Sequence, residues 1–525
     1  PATAVQIGDP ITQRRMYDFL MRARDMGLYN AITDNGAGGL SSSVGEMAQD
    51  SGGCMLDLAK APLKYDGLRP WEILLSEAQE RMTLAVAPEK LDAFMELAAE
   101  MGVEAAALGR FEDTGLFRVR YGDKEAACLD MEFLHDGAPG MRLRAAWKKP
   151  AVALRPIKAE GIDQAGLLKK MLGRLNICSK EYVVRQYDHE VKGGSAVKPM
   201  VGVKRDGPSD AGVMRPALSR PEAIVLSHGI SPRLSDLDAY WMMAGVIDEA
   251  VRNAVAVGAD PDRLAGVDNF CWCDPVESEK TPDGKYKLAQ LVRANQALAH
   301  FCRAYRTPCV SGKDSMKNDY AGGGVKISIP PTVLFTILGY APDAAKAVTS
   351  DFKKPGDLLY LLGDTSADLG ASEIADELGA AYPDAPQVDA LSARRRYKTL
   401  YQAIQAGLVT ACHDLSDGGL AVALAEMAIG GRIGAVADLD AAPAPAADAG
   451  LGDLELLYAE TPSRLLVCVA PENKEAFEAL FAGQRFGLLG AVSEDENLTI
   501  RRGGRTILSE GADALARAFK ATLNW

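Results

Sequence analysis

The sequence has no C-x-x-C pair, no P-loop, no basic run and no long apolar stretch, and each absence removes a class of function. Its nine cysteines are scattered over 525 residues, odd in number and without metal-ligand spacing. Cys271-Trp272-Cys273 is the one close couple and reads as packing rather than as a metal site. A reducing cytoplasm fits this usage better than a disulfide framework. With 58 basic against 71 acidic residues and a net charge of −13, the chain carries no electrostatic footprint for nucleic acid. An enzyme of anionic metabolites would still need local Lys, Arg or Mg²⁺. No segment approaches the ~20 consecutive apolar residues of a membrane span, and no secretory pattern stands at the start. The expectation is a soluble cytoplasmic protein with neither a membrane nor a nucleic acid as partner. Apolar content of 48% and charged content of 25% are ordinary for a globular chain, and the length suggests about three or four domains. The chain begins at Pro1, without an initiator Met, and by Gln6-Ile7-Gly8-Asp9-Pro10 it already reads as the inside of a unit.

What the sequence does have is a charged glycine turn. His413-Asp414-Leu415-Ser416-Asp417-Gly418-Gly419-Leu420 reads as a strand end, an acidic turn and the start of an amphipathic helix with apolar residues at 420, 424 and 427. Gly418 and Gly419 let the backbone approach an anion, and the first-turn N–H groups of the helix point at it. Asp414 and Asp417 make sense beside a phosphate only with a cation between, and carboxylate plus phosphate oxygens is how Mg²⁺ is held. Taken alone, such a turn reads equally as an acidic helix cap without a ligand. A second copy stands at Asp34-Asn35-Gly36-Ala37-Gly38-Gly39-Leu40: seven of the fifteen positions 34–48 are identical to 414–428. Glu77-x-x-x-Arg81 with Ala87-Pro88-Glu89 recurs as Glu460-x-x-x-Arg464 with Ala470-Pro471-Glu472. One unit of about 140 residues therefore occurs twice, at head and tail, too long a period for a solenoid and the mark of a duplicated domain.

Between the copies the chain changes character. Helix and strand alternate through 11–121, as in an α/β layer, and the basic, Pro-punctuated run 141–156 is a boundary. The middle unit, 157–345, holds Arg185-Gln186-Tyr187-Asp188-His189-Glu190 and Asp210-Ala211-Gly212. Its long helix, 237–257, carries Asp248, Glu249, Arg252 and Asn253; Glu249 and Asn253, four apart, share a face. That face is either a solvated polar stripe or a second metal or phosphate site. Asp268-Asn269-Phe270, a helix over 286–305 and the loop Ser311-Gly312-Lys313-Asp314-Ser315 follow, the loop lacking P-loop spacing. The stretch Asp440–Gly450, rich in Ala, Pro and Asp, is expected to be a disordered or surface insertion.

The tail turn, Lys313-Asp314-Ser315, Leu237-Asp238-Ala239-Tyr240 and Ser76-Glu77-Ala78-Gln79-Glu80-Arg81 together resemble the synthetase part of the phosphoribosylformylglycinamidine synthase family, over essentially the whole chain. The Asp-x-x-x-Gly-Gly-Leu turn alone fits the wider superfamily of aminoimidazole ribonucleotide synthetase, selenophosphate synthetase and thiamine-phosphate kinase; the Ser-Glu-x-Gln-Glu-Arg segment and the duplication narrow it. The resemblance implies an α/β (α+β) fold of duplicated aminoimidazole ribonucleotide synthetase-like units. In order these are a C-type half (1–150), an N-type half (151–345) and a second C-type half (346–525). The family's first N-type half, with its catalytic histidines and its ATP-binding lysine, has no counterpart here, and neither has a glutaminase domain, so no catalytic residue is expected in these residues.

The implied chemistry is ligation: ATP phosphorylates the amide oxygen of formylglycinamide ribonucleotide, and ammonia from a glutaminase subunit or domain displaces phosphate to give the amidine, a step of purine biosynthesis. Such catalysis is mostly positioning and charge neutralisation. By the same resemblance Gln6, Glu77, Ala78, Gln79 and Ser315 match substrate-binding positions, Asp34 a Mg²⁺ ligand and Gly312 an ATP contact. Asp268 is the nearest acidic candidate for a nucleotide contact, with Gly266 in that place if the segments are aligned on Asn269-Phe270. Lys313 stands where shorter members have an asparagine metal ligand; protonated, it would meet phosphate or substrate instead. Asp210, Glu249, Asn253, Asp414 and Ser416 match a second ATP/ADP site of the longer members, and the tail turn then holds a structural nucleotide rather than the one consumed. Without the first half the middle unit would leave apolar surface uncovered, implying a symmetric homodimer and no synthesis by this chain alone. Two other classes stay open: another ligase or kinase of the superfamily, which turnover of a different phosphoryl acceptor would favour, and a nucleotide-binding scaffold, which co-purification with a separate catalytic half would favour.

Overall fold

The computed structural model describes residues 5–525 apart from 7, 187, 188, 191 and 449, and the side chains of Val5 and Gln6 lie outside the description; Ile7, Tyr187 and Asp188 of the quoted motifs are therefore also outside it. The chain forms two compact units, Pro1–Arg142 and Leu143–Trp525, the division falling within the basic run at 141–156.

The first unit has two main sheets. Strand Ala31–Asp34 pairs antiparallel with Met82–Ala85, and a four-stranded sheet runs in the order Gly109–Phe111, Cys54–Asp57, Leu116–Tyr121, Lys124–Asp130. Helix Leu40–Ser51 buries Leu40, Val44 and Ala48 against Leu56, Phe117 and Val119 of the larger sheet. The i, i+4, i+8 spacing of those three residues makes that face.

The second unit is layered. A six-stranded sheet, in the order Cys309–Ser315, Leu264–Cys271, Thr332–Ala341, Ala223–Ile230, Gly212–Met214, Ser195–Val197, carries helices Ala239–Ala256 and Gly284–Tyr305 on one face. Asp238 starts the first of these by accepting from Tyr240 N at 2.9 Å, a side-chain cap on an otherwise unpaired donor. A seven-stranded sheet follows, with Leu358–Leu362 between Leu465–Val469 and Phe486–Val492. It is apolar on both faces: Tyr360, Leu362, Leu465 and Val467 point into one core with the Ala239–Ala256 and Ala390–Gln405 helices, while Leu359, Leu361, Leu466 and Cys468 point into another. Continuous apolar strands are what a sheet covered on both sides requires.

The duplication is visible residue by residue. In both units the turn follows the strand's last residue, Asp34 or Asp414 (380 apart), which faces Met82 or Leu465 (383 apart) on the next strand. The strand after the helix pairs parallel in both, Cys54 with Phe117 and Ala435 with Leu498 (381 apart each). Arg81 donates to the Ser76 carbonyl at 2.6 Å, and Arg464 to that of Ala459 at 2.5 Å. The residue before each arginine, Glu80 (φ 60°) or Ser463 (φ 65°), is left-handed without being glycine. The first unit and the tail part of the second are two copies of one fold.

One sequence expectation needs correction and two open alternatives are decided. The helix after the tail turn, Gly419–Gly431, is not amphipathic: all its residues but Glu426 are buried. Its small side chains admit neighbours on every side; a Cβ on Gly202 would lie 2.2 Å from Gly430 O. The stretch 440–450 is a surface segment but not a loose one over its described residues. Ala442 and Ala444 pack on the core, and Pro443 O accepts Thr365 N at 2.7 Å. The polar stripe of the Ala239–Ala256 helix is not solvated, since Asp248, Arg252 and Asn253 are all buried. Cys271-Trp272-Cys273 does pack as expected, with Trp272 and Cys273 buried.

Candidate functional site

Fully buried charge needs compensation, and in the second unit it converges where the Ala239–Ala256 helix meets the tail turn. Arg252 reaches Asp414 Oδ2 with Nε at 3.2 Å and Nη2 at 3.0 Å, Ser416 Oγ at 3.0 Å, and Asp248 at 2.5 Å. Asp248, four residues back on the helix, also accepts from Tyr305 OH and Tyr397 OH at 2.6 Å each, and from Ser463 N and Oγ at 2.9 Å. Burial works against the Arg252 charge, but Asp414 and Asp248 more than offset it and push its pKa well up. This Asp248–Arg252–Asp414 chain ties three segments together. Nothing local in the sequence assigns Asp248 and Arg252 this role beyond their i, i+4 spacing, interleaved with that of Glu249 and Asn253.

Around this chain lie the expected residues. Ser416 Oγ donates to Asp414 Oδ2 at 2.5 Å and lies 3.3 Å from Glu249 Oε1, whose other oxygen accepts Ile230 N at 3.0 Å. Burial raises the Glu249 carboxyl to about 8, Arg252 opposing and Asp414 and Asp417 adding. Asn253 donates to His228 O at 3.3 Å, and its Oδ1 is buried without a partner. On the strand, His413 sits between Asp210 Oδ1 at 2.6 Å and Glu426 Oε2 at 2.9 Å. Burial disfavours its cation, yet Asp210 and Glu426 drive its pKa well above the ordinary value. The Asp210 carboxyl is raised, chiefly by burial, and its Oδ2 is buried without a partner.

Asp210, His413 and Asp414 each offer a ligand atom within 4.8 Å of the others, the metal-compatible group among the described residues. Both ring nitrogens of His413 are taken up by the Asp210 and Glu426 carboxylates, so His413 orients Asp210. The oxygens that remain, two of them buried and unpartnered on Asp210 and Asn253, are the hard donors that Mg²⁺ takes. The structure thus brings Asp414, Ser416, Glu249 and Arg252 into one network and sets Asp210 beside Asp414. At the turn above it, Gly418 (φ 81°) and Gly419 (φ 64°) are left-handed, and a Cβ on Gly419 would lie 2.5 Å from Ala459 O. Glu460 accepts Gly418 N at 2.8 Å and Glu373 N at 2.9 Å, a role the sequence reading missed.

A second group of expected residues shares the edge of the six-stranded sheet. Asp268 is paired with Gly312, Asn269 with Lys313 and Cys271 with Ser315; a Cβ on Gly312 would lie 2.5 Å from the Asp268 carboxylate. Burial raises the Asp268 carboxyl, and Asp314 adds to that. Gly312 and Lys313 are exposed.

In the first unit Val5–Gln6 pairs parallel with Glu77–Ala78, Gln6 opposite Ala78, so three expected substrate positions share one ladder; Gln79 is exposed beside them. Asp34 is exposed and accepts Gly36 N at 2.7 Å. Glu80, in the Ser76–Arg81 motif, accepts Asp9 N at 2.9 Å.

The two copies of the turn coincide with two matches, residues 1–122 and 354–503, to the family described as AIR synthase related protein, C-terminal domain. The phosphoribosylformylglycinamidine synthase subunit PurL of Deinococcus radiodurans is 32% identical over 532 residues, covering 99% of this chain and 68% of that protein. The chain belongs to the PurL family. The PurL of Thermosynechococcus vestitus is 34% identical over 520 residues, covering 95% of this chain and 65% of its own. Among solved structures, T. maritima PurL complexed with ADP matches with a TM-score of 0.62 at 20% identity, covering 94% of this chain and 69% of that one. T. maritima PurL complexed with FGAR matches with a TM-score of 0.60 at 20% identity, covering 93% and 66%. These place the PurL fold on both units. Among the described residues no helix is long and apolar enough to cross a membrane.

Proposed function

We propose that this PurL-family chain takes part in the ATP- and Mg²⁺-dependent amidation of formylglycinamide ribonucleotide to formylglycinamidine ribonucleotide, with ammonia released from glutamine by a glutaminase partner. The PurL relatives carry the reaction. The observation that carries the nucleotide site is the pair of buried, unpartnered oxygens on Asp210 and Asn253, beside the Asp414 carboxylate and a glycine-glycine helix start.

In this reading residues 1–150 and 346–525 are C-type domains and 151–345 an N-type domain. Asp210, Glu249, Asn253 and Asp414 hold Mg²⁺, which would neutralise phosphate charge, and Ser416 meets the nucleotide. Arg252 holds Asp414 at a fixed rotamer, and His413 does the same for Asp210. Gly312 meets the nucleotide at the sheet edge, Lys313 supplies positive charge there, and Asp268 and Ser315 orient nucleotide and substrate. Gln6, Glu77, Ala78 and Gln79 bind the ribonucleotide, and Asp34 a further cation, in the first unit. The catalytic histidines belong to a further N-type half, and a polypeptide of these 525 residues makes no amidine until that half is supplied.

The protein as it occurs in its cell, with whatever chains accompany it, is assayed with ATP, Mg²⁺, ammonia and formylglycinamide ribonucleotide. The expected result is phosphate release that requires the ribonucleotide, and loss of most turnover in Gln79→Ala. Phosphate release that ignores the ribonucleotide and follows another acceptor would assign the chain to a different ligase or kinase activity.

A further inference from the structure

Of the nine cysteines, two face each other across elements. Cys302, in the last turn of the Gly284–Tyr305 helix, and Cys309, the first residue of the Cys309–Ser315 strand, have their Sγ atoms 3.7 Å apart. Cys309 is exposed and Cys302 half-buried. Between them the chain turns through Arg306, left-handed at φ 58°. At 3.7 Å the sulfurs are in van der Waals contact, and small side-chain rotations bring them to the ~2.05 Å of a bond.

We infer that Cys302 and Cys309 form a reversible intramolecular disulfide that clamps the start of the Cys309–Ser315 strand. The strand begins irregularly: Cys309 pairs with Gly266 and Ser311 with Val267, so Val310 is an extra residue bulged out of the ladder, 63% exposed. Bulges are where a strand bends most readily. A covalent link from the helix to the residue just before this one fixes the bend, three residues ahead of Gly312 and four ahead of Lys313.

The oxidant is a small disulfide such as oxidised glutathione. The Cys309 thiolate attacks one of its sulfurs, forming a mixed disulfide and releasing one glutathione thiolate. The Cys302 thiolate then attacks the Cys309 sulfur and releases the second. Two protein thiols lose two electrons and two protons, and the small disulfide becomes two thiols. Burial raises both thiol pKa values, and the nearby Asp268 carboxylate adds to each. Exchange is therefore slow at neutral pH and rises about tenfold per pH unit while the thiolate is the minor form.

The test incubates the whole chain at a series of reduced-to-oxidised glutathione ratios, alkylates remaining thiols and maps tryptic peptides; cleavage at Arg303 and Arg306 separates the two cysteines. The expected product is a Cys302–Cys309 linked pair, lighter than the thiols by two hydrogens and reversed by dithiothreitol. Cys302→Ser should stop at a glutathione adduct on Cys309, as exposed Cys128 should in the unaltered chain. Separate alkylation of both thiols at every ratio, or an adduct on Cys309 that never resolves in the unaltered chain, would overturn the inference. Amide exchange over 309–315 should slow about threefold or more on oxidation; unchanged exchange would overturn the clamping of the strand.

Discussion

Arg252 is the residue on which the tail turn depends, because it is set directly between Asp248 and Asp414. Removing one partner of a buried ion network leaves the others as uncompensated buried charge. Arg252→Met should therefore lower the unfolding free energy by about 3–5 kcal/mol, measured by urea denaturation without nucleotide; a loss below ~1 kcal/mol would mean that the carboxylates find other partners. Glu249 gives a pH dependence of definite sign. Its folded pKa of about 8 lies above the ordinary glutamate value of 4.5. Between those values the folded chain holds a proton that the unfolded chain has released. The resulting stability is full below about 4.5 and is lost as pH rises through about 8. In EDTA, the melting temperature should fall from pH 5 to 8 more steeply in the unaltered protein than in Glu249→Gln. Parallel profiles would show that the group does not titrate in that window.

At the scale of elements, the glycines of the repeated turn separate strain from crowding. Gly379 has φ 64° with nothing within 4 Å of a Cβ, whereas Gly419, at the same φ, would place one 2.5 Å from Ala459 O. Gly379→Ala should cost only the left-handed penalty of about 1–2 kcal/mol, and Gly419→Ala clearly more, since the atom it meets is backbone. Chemical denaturation of the two variants decides; equal losses would mean that the turn relaxes freely. Gly39, whose Cβ would lie 2.5 Å from Ser76 O, repeats the device in the first unit. These glycines also show what was legible beforehand. Paired turns, the Glu-x-x-x-Arg segments and the long helix starting near 237 all carry local signals, glycine at left-handed positions and 3.6-residue spacing, and each stands where expected. The burial of Gly419–Gly431 on every face was not legible, because an Ala-rich helix looks amphipathic until its neighbours are known. The same holds for Arg252 and Asp248. Their partners Asp414, Tyr397 and Ser463 are more than 140 residues away in the chain, and no local pattern reports a contact of that range.

For the whole molecule, the face of the six-stranded sheet turned away from its helices decides the state of assembly. Alternation along Ala223–Ile230 puts Leu226 and Ile230 outward, 56% and 44% exposed, and their neighbours on Thr332–Ala341 include Leu338 at 46%. Leu226 is paired with Leu338 and Ile230 with Leu334, with the His228–Thr336 pair between them, so the exposed apolar side chains are grouped in neighbouring pairs rather than scattered singly. Patches of this kind mark an interface, and a sheet that offers its own apolar face can satisfy it with a second copy about a two-fold axis. We expect a polypeptide of these 525 residues to be a symmetric dimer through this face. Leu226→Lys with Leu338→Glu puts charge into the patch without touching the buried side of either strand. By light scattering the unaltered chain should have twice the chain mass and the double variant the chain mass, with the same circular dichroism. An unaltered chain that stays monomeric at all concentrations, or that makes the amidine on its own at enzyme-like rates, would overturn the dimer in the first case and the need for a further N-type half in the second.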